Sequence, residues 1–140
     1  MGHAFSPGAT LNPRPSLKAG NYTLEGKVRG SAKVRLIPTA PGQTRFNAVA
    51  VNYTNYSDSG KYVLNGYEYV KSTATPSQPW LSVLDWESAI VQTGAVSGTK
   101  QTSPGGFHLN TDAVLNIFQA NGTLTTTLDG KTYTQPQNGT

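Results

Sequence analysis

Asn21-Tyr22-Thr23-Leu24-Glu25-Gly26-Lys27-Val28-Arg29-Gly30-Ser31-Ala32-Lys33-Val34-Arg35-Leu36 alternates almost without error. Tyr22, Leu24, Gly26, Val28, Gly30, Ala32, Val34 and Leu36 fall on one side of an extended chain, and Glu25, Lys27, Arg29, Lys33 and Arg35 on the other. A period of two is the mark of a sheet with one buried and one wetted face. The run is long for one strand, so a bulge or bend is predicted at Gly26 or Gly30, where a missing Cβ lets the strand coil or cross between sheets.

Working outward from this run, a second strand is predicted over 44–53, with Val49, Val51 and Tyr53 on one face and Phe46, Ala48 and Ala50 on the other. The tract Asn55-Tyr56-Ser57-Asp58-Ser59-Gly60 reads as a turn, and 61–70 as a strand that passes through Gly66 without reversing. A polar loop over 72–79 leads to a strand over 81–93, and alternation resumes over 107–118. Asn121-Gly122 and Asp129-Gly130 are hairpin signals, predicted to join that last strand to 123–128 and then to 131–135 as a C-terminal three-stranded meander. No stretch carries the apolar i, i+3, i+4, i+7 spacing of a helix. The predicted class is all-β, an antiparallel β-sandwich or partly open β-barrel.

The 140 residues suffice for one domain with a real core. Pro7, Pro13 and Pro15 mark 1–18 as an extended linker or disordered lead-in, leaving 19–140 as a single β domain. The chain has no cysteine and only two histidines, His3 and His108, so disulfide, thiolate and zinc-cluster chemistry fall away and no cofactor or metal is expected. Nor is there an apolar run approaching the length of a membrane span.

Five Asn-x-Ser/Thr acceptors, at Asn21, Asn52, Asn55, Asn121 and Asn138, account for half of the ten asparagines and point to a secreted glycoprotein. Thr-rich strands flanked by Asn turns also generate such patterns. Met1 to Gly20 lacks the apolar segment of a signal peptide, so export implies a fragment of a longer chain.

Chemistry is sparse. Asp85 and Glu87, two apart on a strand, place their carboxylates on one face at ~7 Å, the kind of pair a small glycoside hydrolase uses as acid and nucleophile or base. A solvated strand also carries Asp-x-Glu without any catalysis. Trp80, Trp86, Tyr67 and Tyr69, with Tyr53 and Tyr56 nearby, are candidates for an aromatic surface that stacks on sugar rings. The competing reading is that they fill a β-core with polar tips at its rim. Lys27, Arg29, Lys33 and Arg35 form a basic stripe in a chain of net charge +4. Its same-face neighbours Thr23, Glu25 and Ser31 are not aromatic, which argues against nucleic acid and for a solvated face. His108 has no recognisable partner spacing and reads as an ordinary strand residue.

The segment Leu17-Lys18-Ala19-Gly20-Asn21-Tyr22-Thr23-Leu24 looks like the first strand of many extracellular β-sandwich modules. A longer likeness runs through Asn55-Tyr56-Ser57-Asp58-Ser59-Gly60, Leu64-Asn65-Gly66 and the stretch from Gly122 through Leu128-Asp129-Gly130-Lys131 to Pro136. These resemble a β-rich C-terminal module of secreted fungal saponin-hydrolase-like proteins that contain a propeller. The resemblance implies an accessory module beside a catalytic propeller, and it assigns no catalytic residue. The sequence thus predicts a non-catalytic accessory module that docks to a companion domain or a polysaccharide. A carbohydrate-binding protein and a glycoside hydrolase are the alternatives.

Overall fold

The computed structural model describes residues 17–75 and 77–136. Among the described residues ten strands follow one another without a helix: β1 (Gly20–Glu25), β2 (Arg29–Pro38), β3 (Phe46–Ser57), β4 (Tyr62–Thr75), β5 (Gln78–Gly94), β6 (Gly98–Thr102), β7 (Phe107–Asp112), β8 (Ile117–Asn121), β9 (Leu124–Leu128) and β10 (Lys131–Gln135). The fold is all-β. All pairings are antiparallel, in the order β1-β2-β3-β4-β5-β6-β9-β10, and the two ends of this path do not pair to close a barrel.

The opening run is two strands. β1 reverses at 26–28 and returns as β2, with Leu24 opposite Ala32 and Tyr22 opposite Val34. Partners in this hairpin have residue numbers of equal parity, so the even-numbered side chains stay on one face through the reversal and the period of two survives it. Val28, in the turn, is exposed. Gly30 is the bulge, with φ +70 beside a register shift against β3.

Register carries the same face across the sheet. Val34 meets Val51, Val51 meets Glu68, and Gly66 meets Ile90, so the inner face collects Ala32, Val34, Leu36, Val51, Tyr53, Leu64 and Ile90 into one core. Leu24 on β1 and Leu128 on β9 both pack against it, which requires the sheet to coil strongly. Leu17 also packs there, at the edge of the predicted lead-in, whose residues 1–16 lie outside the described ones.

β3 and β4 are longer than predicted. β3 continues through Asn55 to Ser57, and the bend follows at 58–61. The polar loop expected over 72–79 is instead strand almost throughout, with Thr75 paired to Gln78. Cross-strand pairing there outweighs the low apolar content of Ser72-Thr73-Ala74.

β5 gives its far edge to two strands. Ala89 to Gln92 pair with β6, while Leu81 to Trp86 pair with β7, so the sheet forks. One arm is β6-β9-β10 and the other β7-β8. The expected strand over 107–118 breaks where Asp112 Oδ1 accepts the N–H groups of Val114 and Leu115, both at 3.0 Å, and Asn116 turns with φ +55. Asp129-Gly130 makes its hairpin, with φ +51 and +80 as a type I′ turn needs. Asn121-Gly122 makes none: only Gly122 has positive φ, and the residues on either side belong to different arms. The C-terminal three-stranded group therefore begins with β6 rather than with the strand before Asn121.

Candidate functional site

Three places concentrate chemistry. The first is on the inner face, where Glu68 and Lys100 oppose Ser88 and Ile90 on either side of β5. Lys100 Nζ lies 2.8 Å from Glu68 Oε2, and the side chains are 12% and 3% exposed. Trp86 Nε1–H donates to the same oxygen at 2.9 Å, and the ammonium stands 4.5 Å from the centre of the Trp86 ring. Two donors thus converge on one buried carboxylate, and a cation–π contact joins the donors to each other. Tyr53 shares this face; burial, with the Glu68 charge second, pushes its phenol well above the usual range. Ser88 Oγ–H donates to the Lys100 carbonyl at 3.2 Å, pinning the lysine's strand.

Glu68 and Lys100 escape a reading of motifs, yet a signal exists. Leu64, Gly66 and Val70 share parity with Glu68, so a strand through Gly66 puts a carboxylate in an apolar row. Such a group requires a cationic partner.

The second place is on the outer face. Asp85 and Glu87 stand there together, as predicted, with Lys71 opposite Asp85 and Tyr69 opposite Glu87. His108, read as an ordinary strand residue, pairs across the fork with Asp85: its Nδ1–H donates to Asp85 Oδ1 at 2.7 Å. Its Nε2–H donates to the Gly105 carbonyl at 2.8 Å. A ring that donates from both nitrogens is an imidazolium. The Asp85 bond raises the His108 pKa most, followed by the Gly105 carbonyl, and the Glu87 charge adds to them.

Because the folded pKa lies above the unfolded value of about 6.5, His108 contributes its full stabilisation below that value and loses it as pH rises through the folded pKa. The expected result is that His108→Asn lowers the urea midpoint relative to wild type at pH 5.5 and that the gap narrows by pH 9. A gap independent of pH would refute this assignment.

The third place is the free end of the β7-β8 arm. Val114, Leu115 and Phe118 are 67%, 66% and 67% exposed, and Ile117 and Trp80 are exposed beside them. Trp80 belongs to this end because its carbonyl accepts the Ala113 N–H at 2.9 Å.

The four aromatic candidates therefore do not share one surface. Tyr67 and Tyr69 are on the outer face, Trp86 on the inner face under Lys100, and Trp80 near the start of β5, beside the end of the arm. Of the glycosylation acceptors, Asn21, Asn52, Asn55 and Asn121 are all exposed, and Asn138 lies outside the described residues. Among the described residues no cluster of His, Asp and Glu is arranged to hold a metal ion, and no helix is long and apolar enough to cross a membrane. No protein-family model, curated protein or solved structure matches the chain.

Proposed function

We propose that the chain is a non-catalytic accessory β-module of an exported glycoprotein and that it docks to a companion domain through the free end of the β7-β8 arm. The observation that carries this reading is the gathering of Trp80, Val114, Leu115, Ile117 and Phe118, all exposed, at one extremity. Exposed apolar clusters on soluble domains mark contact surfaces. Two features support a non-catalytic role. Glu68 is closed by Lys100 and Trp86, and Asp85 is held by His108. In each, one carboxylate oxygen is taken up by a partner within the fold itself.

The four exposed acceptors support export. Following the resemblance carried by the Leu128-Asp129-Gly130-Lys131 region, the companion is a catalytic propeller in the same chain.

The test is amide hydrogen exchange over 113–118 in the full-length protein and in the isolated module. Protection in the longer protein, abolished by Leu115→Glu with Phe118→Glu, is the expected result. Equal exchange in both forms, or a reading frame that encodes nothing beyond this module, would overturn the reading.

A further inference from the structure

We propose that the outer face of β3 forms a trough that binds a linear, carboxylated polysaccharide. The trough follows from register. Ala48, Ala50 and Asn52 alternate along the outer side of β3. Opposite them on β2 stand Ile37, Arg35 and Lys33, and on β4 Lys71, Tyr69 and Tyr67.

Small residues thus run between two rows of long ones. The rows are two strands apart, about 10 Å. Ala48 is only 2% exposed and closes one end of the trough, so the open floor is Ala50 and Asn52.

The basic stripe on β2, taken alone, has no aromatic partner. The fold provides two, since β4 sets Tyr67 and Tyr69 on the same face across a single strand. Cations and tyrosines that are far apart in sequence therefore line one channel. Among the described residues, Lys33, Arg35 and Lys71 have no carboxylate within ion-pair distance. Asp85 lies opposite Lys71 but is engaged by His108.

The occupant follows from this lining. Three cations without partners call for an anionic chain. The half-buried tyrosines and Ala50 suit the apolar C–H faces of sugar rings. Glu87, exposed beside Tyr69, offers an acceptor to sugar hydroxyls, which a phosphodiester backbone lacks at that density. A carboxylated polysaccharide meets all three conditions.

Asn52 is both the end of the trough floor and a glycosylation acceptor. A glycan there would fill the channel, so glycosylation at Asn52 and polysaccharide binding exclude one another. The proposal does not depend on docking by the arm, and the two are separable by their variants.

The experiment uses the unglycosylated full chain in affinity electrophoresis through gels containing polygalacturonate, its methyl ester, or single-stranded oligothymidylate. Retardation by polygalacturonate alone is expected, with at least a tenfold loss of affinity in Lys33→Ala with Arg35→Ala and in Tyr69→Ala. Lys18→Ala with Lys61→Ala, outside the trough, should leave the retardation unchanged, as should Leu115→Glu with Phe118→Glu. No retardation, equal retardation by the methyl ester or by the oligonucleotide, or an equal loss in the Lys18 and Lys61 variant would each overturn the proposal. Circular dichroism of each variant separates lost binding from lost folding.

Discussion

Lys100→Met is expected to cost about 3–5 kcal/mol of stability, because it strips the cation from a carboxylate that cannot reach water. Glu68 is 3% exposed, and in the variant only the Trp86 N–H remains to it among the contacts described above. The same principle makes the reciprocal exchange mild. Glu68→Met together with Lys100→Met removes both charges and should recover most of the loss, since a well-packed apolar pair often matches a buried ion pair. Urea denaturation of the two variants and the wild type checks this, and Trp86 emission reports on the site directly because the ammonium stands over its ring. A single variant that loses under about 1 kcal/mol, the scale of an exposed pair, would show that the pair is not buried in solution.

Gly66→Ala is the second large effect. Gly66 lies mid-strand with φ +120, and a Cβ built on it would run into the Ala89 carbonyl oxygen on β5. The backbone conformation alone costs an alanine on the order of 1–3 kcal/mol, and the clash adds separation of β4 from β5 at the centre of the core. Gly105→Ala is the matched control. Its φ is +88, but a Cβ there meets nothing within 4 Å. The expected outcome is that Gly105→Ala folds with a modest drop in melting temperature, while Gly66→Ala is unfolded or melts far lower. Similar melting temperatures for the two would refute the close approach of β4 and β5.

Much of this fold was legible in local pattern. The alternation from Tyr22 to Leu36 announces a sheet, and Asp129-Gly130 announces its hairpin. What alternation cannot reveal is a reversal that preserves parity, which is why β1 and β2 read as one strand. Asn121-Gly122 misleads for a different reason: a dipeptide permits a type I′ turn, but the neighbouring strands choose their partners by long-range pairing, and β9 pairs with β6 and β10.

The sites divide along the same line. Asp85 and Glu87 share a face because they are two apart, a local fact. His108 finds Asp85 across 23 positions, and Lys33 shares a face with Tyr67 through the intervening β3, so neither relation is visible before register is known.

The fork in the sheet also bears on where the chain can accept change. Thr102, where the chain leaves for the β7-β8 arm, is the register partner of Leu124, where it returns. The arm is therefore an excursion between two halves of what would otherwise be an ordinary hairpin, and only its tip at 113–116 lies outside the pairs that join β7 to β5 and to β8. Substitution at that tip can change what the protein touches while the strand pairing stays as it is.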